Sequence, residues 1–146
     1  MTRNNLDNPI FLFVFLLAII TINIISSIHF LLIMLAGVCF ISFYTCLKRK
    51  YLYSLIFVVL TFMFIEINSG LKPLSLTLLS LFIYIFIIPS INRMMSFSAL
   101  NEYIYILIFY LGIFLIWVTT IGMSDSFIAI ILVNIIIDLL FLGVFI

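Results

Sequence analysis

The stretch Pro9–Ile25, PIFLFVFLLAIITINII, contains no charged side chain and decides the fold class. A membrane-spanning helix needs about 20 mostly apolar residues, and in hydrocarbon every backbone polar group must pair within the chain. Asn8 can cap such a helix, and the proline that follows it suits the first helical turn, where no N–H is needed. The stretch therefore predicts a transmembrane helix, and the lack of a small-residue cleavage site after it favours an uncleaved anchor.

The rest of the chain has the same character. Of its 146 residues, 68% are hydrophobic and 8% are charged, and the mean hydropathy is +1.54. A soluble domain is about 45–50% apolar and about 25% charged, because polar groups must cover its surface. This composition excludes an ordinary soluble domain and also a disordered chain. The net charge of +1 excludes a basic surface able to hold a nucleic acid, so no nucleic-acid partner is expected.

Breaks in the apolar pattern divide the chain into six candidate spans within a single membrane domain, residues 1–146. The polar stretches between them are too short to form an extramembrane domain. We therefore predict an all-α fold, a polytopic integral membrane protein with six transmembrane helices. The predicted spans are residues 9–25, 28–47, 51–67, 73–91, 101–121 and 127–146.

The basic residues predict the orientation of these spans, because Lys and Arg accumulate in cytoplasmic loops. With a cytoplasmic N-terminus, only Lys72 of the six basic residues lies outside. The other five are Arg3, Lys48, Arg49, Lys50 and Arg93. We therefore predict that both termini are cytoplasmic (N-in, C-in). The basic residues of the second and fourth spans are also expected to contact the headgroups of membrane lipids.

Two polar side chains, Asn134 and Asp138, lie deep in the sixth predicted span. Their spacing of four residues places both on one face of a helix. An ionisable residue inside a membrane costs about 2.5–3.5 kcal/mol on insertion scales, so this face is expected to point at other helices rather than at lipid. Three interpretations remain open: a proton or cation site, a polar contact that holds a partner helix, and an internal hydrogen-bonded contact between helices.

A second polar group closes the third predicted span, in the sequence FIEINSGLKP of residues 64–73. Gly70 follows the last apolar turn and is a typical helix C-cap. Glu66 is expected either to pair with Lys72 across the turn or to contact a substrate or partner. The candidate site residues in this stretch are Glu66, Asn68, Ser69, Gly70 and Pro73.

The sequence lacks the motifs of common catalytic and cofactor sites, among them the P-loop, GxGxxG and HExxH. His29 is the only histidine and has no neighbouring cysteine or carboxylate, so no metal site is expected. Ser26, His29 and Asp125 can be combined into a triad for a lipid-cleaving enzyme, but no nucleophile motif supports it. We therefore expect no catalytic residues, no cofactor and no enzymatic activity.

The order of features along the chain matches that of a known family. An apolar helix ends in the basic turn Lys48–Lys50, and the next helix ends in an acidic residue followed by Ser69-Gly70. The turn Lys72-Pro73-Leu74 leads into a Leu-rich helix, and the last helix carries a late amide, Asn134. This order resembles the MreD family of rod shape-determining proteins.

The resemblance has two departures: Glu66 stands where Asp is more usual, and Ser75 falls where a second Gly is expected. It implies a non-enzymatic component of the bacterial cell-elongation machinery, located in the inner membrane. Its expected partners are an MreC-like membrane protein and, through it, the MreB filament and the wall-synthesising enzymes. MreD proteins are similar to the substrate-binding subunits of energy-coupling-factor transporters. The alternative is therefore a small transporter or substrate-binding subunit that uses Asp138, Asn134 and Glu66.

Overall fold

The computed structural model describes residues 8–29, 32–95 and 98–145, without the side chains of residues 98, 99 and 145. Every regular element in these ranges is a helix. The helices are α1 (Pro9–Ile28), α2 (Ala36–Arg49), α3 (Leu52–Ser69), α4 (Ser75–Met94), α5 (Ser98–Thr120) and α6 (Asp125–Phe145). Residues 30 and 31 of the second predicted span, Ile146 and the basic residue Arg3 lie outside the described ranges.

Five of these helices, all except α2, are long and apolar enough to cross a membrane. This matches the composition of a multi-pass membrane protein. The prediction of an all-helical chain is confirmed within the described residues. The predicted second span, residues 28–47, is wrong at its start. Residue 28 still belongs to α1, residues 32–35 are not helical, and α2 begins only at Ala36.

Helix α2 has 14 residues, and a helix of that length is about 21 Å long, shorter than the roughly 30 Å of a bilayer core. It is the most buried helix of the fold, with ten buried residues between Ala36 and Cys46. Helices α3, α5 and α6 contact it, and α1 packs mainly against α3. The apolar sequence predicted a full membrane span over residues 28–47, but hydropathy does not distinguish a helix in lipid from one enclosed by other helices.

Helix α4 contains one turn of π-helix, Ile83–Ile87, two residues before Pro89. Proline has no N–H to donate, and its ring collides with the carbonyl four residues earlier, here that of Ile85. The wider π turn lies where that carbonyl must be accommodated. Pro89 therefore does not end the helix, which passes through the π turn and continues to Met94.

Helix α3 ends as its sequence predicts. Gly70 has φ +74° and its N–H bonds back to the carbonyl of Glu66. The next residue, Leu71, donates to the same carbonyl at 3.0 Å. Because a positive φ favours glycine, Gly70 ends the helix and turns the chain toward α4.

Candidate functional site

Residues 32–35, the non-helical segment, lie inside the helix bundle and take their hydrogen bonds from side chains. The amide of Asn134 donates to the carbonyl of Leu32 at 2.7 Å and accepts from the N–H of Met34 at 2.7 Å. One side chain thus pairs with the backbone in the way a neighbouring β-strand would. Non-helical backbone at membrane depth is tolerated only when such partners satisfy it.

A second amide holds the opposite side of the non-helical segment. Asn23 of α1 donates to the carbonyl of Ile33 at 2.9 Å, and its oxygen accepts from Asn68 of α3. Ser26 donates to the carbonyl of Asn23 at 2.9 Å. Asn68, predicted to belong to a site on the third span, lies in this amide pair. Ser26, considered for a triad with His29, bonds to backbone instead.

The first turn of α2 is held by a carboxylate from α6. Oδ2 of Asp138 accepts from the N–H of Gly37 at 2.7 Å and from the hydroxyl of Tyr110 on α5 at 2.6 Å. The N-terminal N–H groups of a helix have no intrahelical partner and carry partial positive charge, so a carboxylate there is favourable. The other carboxylate oxygen, Oδ1, is buried and has no hydrogen-bond partner among the described residues.

Asn134 and Asp138 are 1% and 0% exposed. The prediction that their shared face points at other helices is confirmed. They lie nine and thirteen residues after the start of α6, which corresponds to depths of about 14 and 20 Å along that helix. Helix α2 therefore begins deep within the bundle, beside the interior turns of α6, rather than at one end of the bundle.

The close contact at the start of α2 requires glycine. A Cβ atom added to Gly37 would lie 2.7 Å from Oδ2 of Asp138, 2.8 Å from Cγ2 of Ile106 and 3.0 Å from Cε2 of Tyr110. Such distances are shorter than van der Waals contact. The missing side chain allows Asp138 and Tyr110 to reach the backbone of α2 together.

Glu66 performs the corresponding task for α4. Its Oε2 accepts from the N–H of Leu74 at 2.7 Å, and its Oε1 accepts from the N–H of Leu76 at 2.7 Å. Of the two alternatives for Glu66, the pairing with Lys72 is not formed, because both oxygens of the buried carboxylate accept from the start of α4 while Lys72 is exposed. The helix N-terminus attracts the carboxylate without a cationic side chain.

Helices α2 and α4 thus begin in the same way. Each follows a leucine in the left-handed conformation, Leu35 at φ +50° and Leu74 at φ +66°, and neither leucine can cap with its own side chain. In both cases a carboxylate from another helix supplies the cap, Asp138 for α2 and Glu66 for α4. Both intramembrane acids of the predicted site are therefore backbone caps.

The other predicted site residues lie apart from the non-helical segment. The hydroxyl of Ser69 donates to the carbonyl of Ile65 at 2.6 Å, and Pro73 is exposed in the turn before α4. The four basic residues expected to meet lipid headgroups are exposed near the C-terminal ends of α2 and α4. They are Lys48, Arg49, Lys50 and Arg93, and Nζ of Lys48 lies 5.6 Å from the centre of the Tyr44 ring.

A cavity of about 200 Å³ lies between α1, α6 and the start of α2, and all of its lining residues are apolar. Among the described residues, no group of three or more His, Cys, Asp or Glu side chains is placed to hold a metal ion. The polar site thus fixes the backbone of the non-helical segment and the starts of α2 and α4. Oδ1 of Asp138 is one of four buried side-chain oxygens without a hydrogen-bond partner among the described residues, with those of Ser75, Thr77 and Asn101.

Sequence reasoning missed two members of the site, Gly37 and Tyr110. Both lie in long apolar runs, where a single glycine or tyrosine has no distinctive spacing. The signal that pointed toward them was Asp138, because a buried carboxylate requires donors from facing helices. No family model, no curated protein and no solved structure matches this chain.

Proposed function

We propose that this protein is a non-catalytic integral membrane component of the bacterial cell-elongation machinery, a scaffold that binds an MreC-like membrane protein. The observation that carries the proposal is that the buried polar side chains hold the protein's own backbone. Asn23, Asn134, Asp138 and Glu66 all bond to backbone groups, which makes a rigid bundle rather than a polar binding pocket.

The resemblance to the MreD family adds support, because it rests on residues with a defined place in the fold. Glu66 caps α4, Gly70 ends α3, and Asn134 pairs with the non-helical segment. On this proposal the protein lies in the bacterial inner membrane with both termini in the cytoplasm. A reporter fused after Ile146 that is active only in the periplasm would contradict this orientation.

Purification of the tagged protein in a mild detergent tests the scaffold function. We expect a bitopic, MreC-like protein to co-purify, and depletion of the protein from a rod-shaped host to give rounded cells. Recovery of the protein alone, together with unchanged cell shape after depletion, would contradict the proposal. As a control for incomplete solubilisation, an unrelated six-helix membrane protein with a second tag is present in the same membranes. It should not co-purify.

A small transporter or substrate-binding subunit is the second candidate, and one observation favours it. Helix α2 starts inside the bundle, next to Oδ1 of Asp138, an acceptor without a hydrogen-bond partner among the residues that the structure describes. Transporters place the ends of discontinuous helices at their binding sites in this way. A proton route is the simplest form of this candidate, because a carboxylate carries protons in many transport proteins.

Proteoliposomes with a pH-sensitive dye sealed inside distinguish the two candidates. If the protein is a scaffold, the proton flux into vesicles with the wild-type protein should equal that into vesicles with the Asp138→Asn protein. A proton flux through the wild-type protein that disappears in Asp138→Asn would favour the transporter. The asparagine keeps an acceptor for Gly37 and Tyr110, so loss of flux would not reflect loss of the fold.

A further inference from the structure

A polar cluster separate from the helix caps lies where α2 and α4 end and α5 begins. Oδ1 of Asn92 on α4 accepts from the hydroxyl of Tyr105 at 2.6 Å and from the amide of Asn101 at 3.3 Å, both on α5. Asn101 is 8% exposed, and its own oxygen, Oδ1, is buried without a hydrogen-bond partner among the described residues. A buried acceptor without a partner costs free energy, so a ligand that donates a hydrogen bond to it gains affinity.

Tyrosine rings stand beside these amides. The ring centre of Tyr44 on α2 lies 5.5 Å from that of Tyr105 and 6.0 Å from that of Tyr84 on α4. The ring planes are inclined by 59° and 58°, so the rings are tilted rather than stacked. Nζ of Lys48 lies 5.6 Å from the centre of the Tyr44 ring. The face of an aromatic ring attracts a cation within about 6 Å, and here the protein's own lysine already places an ammonium at that distance.

Charges of both signs surround these groups. Lys48 is close enough to Glu102 on α5 for their charges to interact. Arg93, the residue after Asn92, is exposed, as are all three basic residues at the end of α2. A ligand that is only anionic would meet acceptor oxygens and the negative faces of tyrosine rings, and the basic residues would repel a ligand that is only cationic. The arrangement therefore fits a zwitterion with an ammonium and a phosphate.

We propose that this cluster binds the headgroup of a phospholipid with a primary amine, as in phosphatidylethanolamine. The ammonium takes the place of Nζ of Lys48 beside the Tyr44 ring and donates a hydrogen bond to Oδ1 of Asn101. Lys48, whose charge lies at the end of a flexible four-carbon stem, turns to the phosphate together with Arg93. A lipid is the natural source of this chemistry, because tyrosines at the ends of membrane-spanning helices lie at the level of the headgroups.

The unpaired oxygen of Asn101 selects among amine headgroups. A trimethylated ammonium, as in phosphatidylcholine, is attracted to the Tyr44 ring but has no N–H to donate to Oδ1 of Asn101. Phosphatidylglycerol has hydroxyl donors but no cation for the ring. A hydrogen bond from a charged donor changes an equilibrium constant by about tenfold or more, so we expect a preference of about that size for phosphatidylethanolamine over phosphatidylcholine.

Native mass spectrometry of the full-length protein tests the proposal. The protein is reconstituted in vesicles with equal amounts of phosphatidylethanolamine, its monomethyl and dimethyl forms and phosphatidylcholine, all with the same acyl chains, and is then extracted in mild detergent. We expect similar retention of the first three lipids, since each keeps an N–H, and about tenfold less phosphatidylcholine. Equal retention of all four lipids, an even decline with each added methyl group, or a protein without lipid would overturn the proposal.

Variants separate the acceptor from the ring. Asn101→Leu removes the acceptor, so phosphatidylethanolamine and phosphatidylcholine should be retained equally, and a preference that survives would overturn the proposal. Tyr44→Leu should lower the retention of both lipids. Tyr103→Leu is the matched control on α5, because the Tyr103 hydroxyl lies beside Gly143 of α6, and it should keep the wild-type retention. Thermal unfolding in detergent checks that each variant is folded, and the methylated lipids test the wild-type protein if a variant is not.

Phosphoethanolamine in solution distinguishes a lipid from a soluble ligand of the same chemistry. We expect an equal concentration of it to leave the retained lipid in place, and displacement of the lipid would overturn the lipid as the source. A protein that co-purifies with the wild type and is lost from Asn101→Leu, with no lipid bound, would overturn the proposal in favour of a lysine of that protein. An MreC-like partner should co-purify with Asn101→Leu as with the wild type, so failure here is separate from failure of the scaffold proposal.

Discussion

Oδ2 of Asp138 lies 2.7 Å from the backbone nitrogen of Gly37, a residue 101 positions earlier in the chain. This bond joins the last helix to the first turn of the most buried one. It depends on three things together: an acceptor on α6, the N–H of Gly37 at the start of α2 and the absence of a side chain at Gly37. The acceptor and the absent side chain can each be changed by mutation.

Substitution of Gly37 by Ala tests the close approach. The new Cβ would lie 2.7 Å from Oδ2 of Asp138 and 2.8 Å from Ile106. Overpacking of this kind costs about 1–3 kcal/mol. We expect a lower thermal unfolding temperature in detergent.

Gly143→Ala is the matched control for this substitution, since its Cβ would meet nothing closer than the Tyr103 hydroxyl at 3.5 Å. Alanine also has the higher helix propensity, so this variant should unfold at the wild-type temperature or above it. Equal destabilisation by Gly37→Ala and Gly143→Ala would show that the contact with Asp138 is not tight.

A series of variants at Asp138 and Tyr110 separates the acceptor from the charge. Asp138→Asn keeps an oxygen for the N–H of Gly37 and the Tyr110 hydroxyl, so its effect on stability should be small. Asp138→Leu leaves both donors unpaired, and each buried unsatisfied group costs about 1–3 kcal/mol. Tyr110→Phe removes one bond, which between membrane helices is worth about 0.6 kcal/mol and at most about 1.7 kcal/mol.

The measured order of unfolding temperatures should therefore be Asp138→Asn, then Tyr110→Phe, then Asp138→Leu, from highest to lowest. A leucine variant as stable as the asparagine variant would mean that water or another group replaces the carboxylate. The double variant Asp138→Leu with Tyr110→Phe should be no less stable than Asp138→Leu alone, because the hydroxyl has already lost its acceptor.

The cap on α4 predicts a local effect on hydrogen exchange. Glu66→Leu removes both acceptors from the N–H groups of Leu74 and Leu76, so these amides should exchange faster than in the wild type. Glu66→Gln keeps one oxygen acceptor and should give an intermediate rate. Lys72→Ala should leave the exchange rates unchanged, because the carboxylate is held by backbone groups. Faster exchange in Lys72→Ala would instead support an ion pair between Glu66 and Lys72, one of the two alternatives that the sequence left open.

Much of the fold follows from the sequence. Hydropathy predicted six spans, five of which correspond to helices long and apolar enough to cross a membrane, and Gly70 ends α3 as its position indicates. The late start of α2 did not follow. Residues 32–35 are as apolar as a helix in lipid, and the partners that satisfy their non-helical backbone, Asn23 and Asn134, lie on other helices. That information is tertiary, and an apolar pattern along one segment does not contain it.

The same reason explains the outcome at the candidate site. The spacing of Asn134 and Asp138 correctly placed both side chains on one buried face, because helical periodicity is local. The partners of Asp138 were not predictable, since Gly37 and Tyr110 are 101 and 28 residues away. At Glu66, the nearest opposite charge in the sequence, Lys72, did not indicate the partner of the carboxylate. The unpaired N–H groups at the start of a helix also attract a carboxylate, but they are not visible in the sequence as a charged residue.

The two left-handed leucines give a final pair of matched substitutions. Leu35 and Leu74 both precede a remotely capped helix, with φ of +50° and +66°, and this conformation costs a residue with a Cβ about 1–2 kcal/mol. Leu74 is 47% exposed, so Leu74→Gly relieves the strain with little loss of packing and should raise the unfolding temperature. Leu35 is 2% exposed, and truncation of a buried leucine to alanine costs about 2–5 kcal/mol, so Leu35→Gly should lower it despite the same relief of strain. If both variants shift stability in the same direction, the balance between backbone strain and packing assigned to these two positions is incorrect.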